Sequence, residues 1–210
     1  MPVPHKDLIL WLWGVGLGVP PKNTIEIQNS LLMSNSTQQN KILAFYLGQQ
    51  PDSQCRAIED IWSWDYQKLE SVHNYIQWLF PLREKSRFNS SAPTLNDEVI
   101  QAFRTSEELR SRLVKSLKVM LAFYGLKCRE EENAEIVIAK SEEYLSRKRE
   151  WIDQFNHNYL RLTRILTSLT ELGLKNYALA LFRCLDDIYN ENKESIGLKT
   201  YTYWKNAVNS

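Results

Sequence analysis

Apolar residues recur every three to four positions along most of this chain, and little interrupts them. That spacing places side chains on one face of an α-helix, whereas a half-buried strand alternates every second residue. The usual breakers are scarce: the chain has 7 glycines and 7 prolines, and they cluster early. The pattern therefore predicts an all-α fold, a single globular domain of about seven helices over residues 40–210, rather than a many-turned β-sandwich. At 210 residues such a domain can bury a core without disulfide staples.

Local signals place the helices. From Asp65 to Phe80 the residues Tyr66, Leu69, Ile76 and Phe80 keep helical spacing, with His73 among them, and Pro81 stops the helix. Leu95–Phe103 is expected as a short helix capped by Thr94, with Asp97 and Glu98 in its first turn. Ser106 opens a longer helix that ends at Gly125, with Leu109, Leu113, Leu117, Met120 or Leu121, and Tyr124 as its apolar stripe. Residues 127–139 are ambiguous, because EIVIA (135–139) suits an extended segment or a helix start. Ser141–Trp151 and Asn156–Leu172 are expected to be helical, and Gly173 closes the second of them. Asn176 then caps an antiparallel partner reaching Tyr189, and Ser195 caps a last helix through Tyr201, Trp204 and Val208.

Residues 1–39 stand apart as an N-terminal extension. The apolar run 8–19 is too short to span a bilayer. A signal peptide is disfavoured, because Asp7 follows Lys6 and Pro20 and Pro21 follow the apolar run. Met33 begins an ordinary polar leader and is a second candidate start beside Met1. The three cysteines, Cys55, Cys128 and Cys184, are odd in number and widely spaced, which points to a reduced, cytoplasmic protein. A net charge of +1 argues against wholesale polyanion binding, so nucleic acid is not a favoured partner.

Two segments concentrate chemistry. The stretch 58–84 is rich in aromatics and carries Glu59, Asp65, Glu70, His73, Trp78, Arg83 and Glu84. It suits an aromatic-lined pocket with a titratable histidine. The plainer reading makes His73 a buried ring satisfied within the apolar stripe of one helix. In the second segment, 157–173, helical geometry sets His157, Arg161, Arg164, Ser168 and Glu171 along one stripe. Leu162, Ile165, Leu166 and Leu169 lie opposite. Two arginines one turn apart suit bidentate capture of a carboxylate or phosphate. They suit equally well an internal ion pair with Glu59 or Asp65, or a solvated face. The basic run Arg147, Lys148, Arg149 is expected to be a solvated face.

Catalytic motifs are absent from the sequence. The run GVGLGV at 14–19 lacks the lysine of a phosphate loop, there is no G-x-S-x-G elbow, and no cysteine has a local histidine. An enzyme remains the alternative only if His73 and His157, 84 positions apart, meet beside Asp65 or Glu70. The expectation is a non-catalytic module without cofactor or metal. Its candidate peptide- or protein-binding residues are His73, Trp78, Arg83, His157, Arg161 and Arg164.

DYQKLESVHNYIQWLFPLRE at 65–84 resembles the signature of the opioid growth factor receptor conserved domain. FYLG at 45–48, EVIQAF at 98–103, MLAFYG at 120–125 and HNYLRLTRILTSLTELGL at 157–174 follow in that family's order. The resemblance covers about residues 41–208. It implies a receptor for a peptide, an enkephalin in the named animal members, at the nucleus, in the cytoplasm or associated with membranes. It supplies no set of peptide-contacting residues. Leu162 stands where the family usually has isoleucine, and the long tail and repeats of animal members are missing. The compact form looks like that of bacterial relatives.

Overall fold

The computed structural model of the chain describes residues 41–87, 89–130 and 135–209, so the readings placed on 1–39 lie outside the described residues. Helix α1 (41–46) leads into α2 (Ile58–Trp62), α3 (Tyr66–Ser71), α4 (Ile76–Leu79), α5 (Asp97–Thr105) and α6 (Glu107–Phe123). Strands β1 (Leu126–Glu130) and β2 (Ile136–Lys140) follow, then α7 (Tyr144–Trp151), α8 (Asn158–Glu171), α9 (Lys175–Glu191), α10 (Lys193–Ile196) and α11 (Leu198–Asn209). The described residues thus hold eleven helices rather than seven, several of them a turn or two long.

The start signals work by satisfying amides that a helix leaves unpaired at its beginning. Asp65 accepts from Lys68 N at 2.7 Å, Asn96 from Val99 N at 2.9 Å and Ser106 from Leu109 N at 3.3 Å. Asn96, not Thr94, therefore caps α5. Leu174 precedes α9 in place of the expected Asn176, and Ser195 lies within α10 instead of capping the last helix. The stripe expected for α6 is fully buried, from Leu109 to Tyr124.

The fold is mostly helical but not all-α. The ambiguous stretch forms an antiparallel hairpin in which Leu126 faces Lys140 and Glu130 faces Ile136. Apolar residues alternate there at Leu126 and Cys128, and at Ile136 and Ile138, with Val137 between. β-branched side chains at a period of two favour a pleated ribbon over a helix. The hairpin packs β1 on α6 and β2 on α9.

Helix α8 organises the rest. Nine of its fourteen residues are buried, among them Tyr159, Leu162, Ile165, Leu166 and Leu169. It packs against α9 and α11 on its apolar side. Gly173, at φ +87°, turns the chain back so that α8 and α9 run antiparallel, and Leu174 N closes on Leu169 O at 2.8 Å.

A second departure matters more for the site. Residues 65–80 do not form one helix. Helix α3 stops at Ser71, Val72 is extended (φ −92°, ψ 129°), and α4 begins only at Ile76. His73 sits in that break and is exposed rather than buried in a stripe.

Gly125 offers a direct test of the turn between α6 and β1. Its φ is +73°, and a Cβ there would lie 2.7 Å from Tyr144 Cα and 2.9 Å from Arg147 Cβ. Gly197 has a similar φ of +76° but open space around it. Gly125→Ala should cost about 2 kcal/mol or more, and Gly197→Ala only about 1 kcal/mol. Urea unfolding of the two variants measures the difference; equal losses would show that crowding at Gly125 is unimportant.

Candidate functional site

The break between α3 and α4 strands backbone carbonyls that a continuous helix would have paired, and buried carbonyls need donors. The polar stripe of α8 supplies them. Arg161 Nη1 donates to Leu69 O at 3.0 Å, and its Nη2 to Val72 O at 3.0 Å and Glu70 O at 3.3 Å. One turn on, Arg164 Nη1 donates to Phe80 O at 3.1 Å. A further turn on, Ser168 Oγ donates to Pro81 O at 3.0 Å. From the other side, Arg56 Nη1 donates to Asn74 Oδ1 at 2.9 Å, and Asn89 Nδ2 to Asn74 O at 3.0 Å. The stripe is thus a row of donors along the backbone of 69–81. It is not a solvated face, and the internal acid beside it is Glu70, 3.5 Å from Arg161, rather than Glu59 or Asp65.

Arg161 is the centre of this row and is only 5% exposed. It also donates to Asn158 Oδ1 at 3.2 Å, lies 3.5 Å from Glu70 Oε2 and sits over the Tyr75 ring. A planar guanidinium with five donors suits this task, because a lysine presents one point charge. Arg161 Nη2 lies 3.2 Å from His73 Nδ1; since a guanidinium only donates, Nδ1 is the acceptor.

The two histidines meet. The His73 and His157 rings lie 5.0 Å apart, edge to face, and His157 Nε2 is 3.4 Å from Glu70 Oε1. Partial burial and then Arg161 push the His157 pKa below the usual 6.5, while Glu70 opposes them and His73 adds to the lowering. Among the described residues no group of three His, Cys, Asp or Glu side chains is placed to hold a metal ion.

Beside this cluster lies a groove of about 470 Å³ between α4, the segment after it and α8. His73, His157, Arg161 and Arg164 all line it, so four of the six candidate residues come together. The other two do not. Trp78 is 3% exposed and packs on Phe45, so it is a core residue and not a surface anchor. Its place on α4 turns it inward, away from the face that carries Gln77. Arg83 pairs with exposed Asp97 at 2.6 Å and is no part of the lining.

Sequence reasoning passed over Gln77, Leu160, Lys85 and Arg87, which also line the groove. Two of them carried a signal. Gln77 is a lone amide inside the apolar string YIQWLF, and Leu160 is an apolar residue beside the polar stripe of α8. Leu160 is 57% exposed, which is unusual for a leucine on a helix otherwise so buried.

With that geometry in place, comparison with known proteins decides the lineage. The opioid growth factor receptor conserved region matches residues 35–210. The chain belongs to that family. It is 41% identical over 129 residues to the opioid growth factor receptor of Mus musculus, covering 60% of this chain and 20% of the relative. The Homo sapiens receptor is likewise 41% identical over 129 residues, covering 60% and 18%. Opioid growth factor receptor-like protein 1 of Xenopus tropicalis is 40% identical over 123 residues, covering 57% and 23%. The chain therefore spans about a fifth of the length of these relatives. No solved structure matches it. None of the described helices is long and apolar enough to cross a membrane.

Two outcomes test the wiring of the corner. Arg161→Ala should cost about 3 kcal/mol, since it orphans several buried carbonyls at once, and Arg161→Lys should recover little of that. Ser168→Ala, which removes a single bond, should cost about 1 kcal/mol. Near-native stability of Arg161→Lys in urea would show that one donor suffices. The His157 shift gives the second test. Its folded pKa is depressed, so on acidification the unfolded chain takes up this proton first. Its contribution is complete above about pH 6.5 and is lost as pH falls from there through the folded value. His157→Gln should flatten that part of the stability profile relative to the parent chain. Parallel profiles between about pH 7.5 and pH 5 would mean that His157 titrates alike in both states.

Proposed function

We propose that this domain is a non-catalytic, receptor-like binding module that takes a peptide segment in the groove between α4 and α8. One observation carries the reading: a preformed groove sets exposed Leu160 and the apolar residues Ile76 and Leu82 beside Arg164, His157, Lys85 and Arg87. Few, directed polar groups around an apolar floor are the usual make-up of a ligand site. The names of the relatives, opioid growth factor receptor and receptor-like protein 1, support a receptor role and make an opioid peptide the first ligand to try. The free thiols of Cys55, Cys128 and Cys184 fit a cytoplasmic setting.

The enzymatic alternative draws on the approach of His157 to Glu70. Against it, Arg161 already engages His73 Nδ1 and Glu70, which ties both groups into the corner that holds the fold together. Selection of peptides by display on the immobilised chain, followed by NMR mapping, tests the proposal. Selected peptides should shift Leu160, Gln77 and Arg164. Leu160→Asp should weaken them about tenfold or more while leaving stability within about 0.5 kcal/mol, because Leu160 is exposed. Shifts confined to another face, or turnover of a substrate that His157→Ala abolishes, would overturn it.

A further inference from the structure

The groove holds a charge and an amide that the fold leaves unanswered. Arg161 is fully engaged, but Arg164 is not. Its Nη1 donates to Phe80 O, and among the described residues it has no ion pair. Burial lowers its pKa, though a guanidinium stays charged at neutral pH. A half-buried cation without a counter-charge is costly unless something supplies one. The lining does not. Lys85 and Arg87 add positive charge and form no ion pair among the described residues, and the carboxylate in the lining, Glu84, lies near Glu171 rather than paired with a cation.

Gln77 is the second observation. Its side chain is 5% exposed and lines the groove, yet its buried Oε1 has no hydrogen-bond partner among the described residues. Both residues line the same groove, Gln77 from α4 and Arg164 from α8, and Phe80, whose carbonyl holds Arg164, follows Gln77 by three residues. Leaving a buried amide oxygen unpaired is unfavourable, because it has given up water without gaining a donor.

The two needs differ, and together they define a ligand. Arg164 requires an anion. Gln77 Oε1 requires a donor, which a bare phosphate dianion does not carry. A peptide's terminal residue offers both, a carboxylate and an amide N–H joined through one carbon. Building on the groove-binding reading above, we propose that Arg164 and Gln77 together form a subsite for the carboxyl-terminal residue of a peptide. Its carboxylate pairs with Arg164, its N–H donates to Gln77 Oε1, and an apolar side chain rests on Leu160, Ile76 and Leu82. Lys85 and Arg87 on the rim favour the approach of the same negative charge.

Small probes separate these contributions. N-acetyl-leucine carries all three features, N-acetyl-leucinamide lacks the charge, and phenyl phosphate has the charge without the N–H. In NMR titrations of the whole chain, N-acetyl-leucine should shift Arg164 Nε–H and the Gln77 side-chain amide together. Its amide and phenyl phosphate should each bind about tenfold more weakly, as expected for one lost polar interaction. Gln77→Leu and Arg164→Gln should each reduce N-acetyl-leucine binding by a similar factor. Gln77→Leu should keep or raise its thermal midpoint, since it removes an unpaired buried oxygen, so it remains informative even where Arg164→Gln loosens the Phe80 contact. Equal binding of the acid and its amide would end the carboxylate subsite and leave groove binding standing. Stronger binding of phenyl phosphate would replace it with a phosphoryl site. Silence of all three probes, with display-selected peptides still shifting the groove, would refute the subsite alone. Failure of those peptides to reach the groove would instead refute the binding reading on which it rests.

Discussion

The guanidinium of Arg161 holds this fold at its weakest point. The chain between Leu69 and Pro81 turns a corner where a helix was to be expected, and a corner of that kind leaves carbonyls facing the interior. Arg161, Arg164 and Ser168, one turn apart on α8, answer them in register. Buried backbone without such donors costs several kcal/mol. The corner and the stripe therefore depend on each other: neither the broken segment nor a buried arginine is tolerable alone.

That mutual dependence produces the groove. Breaking the helix at Val72 swings His73 out of the core and brings it to His157, 5.0 Å away. It also leaves α4 as a short element whose one side, with Trp78, Leu79 and Phe80, is sealed in the core. The other side, with Gln77, is left to line the space in front of α8. The groove lies between α4 and α8, and the hydrogen bonds of Arg161, Arg164 and Ser168 tie the backbone of 69–81 to α8. Its cations exceed its carboxylates, so its electrostatic preference is set before any partner arrives.

Membership of the opioid growth factor receptor family fits this division of labour. The conserved region covers residues 35–210, and the stretches that carry the resemblance, 65–84 and 157–174, are the two that form the corner and the donor row. Receptor-named relatives match 129 residues of this chain, about a fifth of their own length.

Much of the architecture was legible in the residues. The start at Ser106, the stop at Gly173 and the stripe of α6 follow from local chemistry, since a helix start needs an acceptor and a positive φ favours glycine. The pairing of His157, Arg161 and Arg164 on one face follows from helical geometry alone. Three features were decided elsewhere. The hairpin at 126–140 forms because two short strands and the surfaces of α6 and α9 become available together, which no single segment announces. Residues 65–80 keep helical periodicity, yet the helix breaks because donors from α8, some ninety residues on, stabilise the broken form. Trp78 and Gln77 are adjacent in the chain, but packing buries one in the core and turns the other to the groove. The sequence by itself settled where α6 starts, where α8 stops and which face of α8 is polar, because those depend on neighbours within a turn. Only the tertiary structure decided that the polar face looks inward, because that rests on long-range hydrogen bonds to a backbone whose shape those same bonds create.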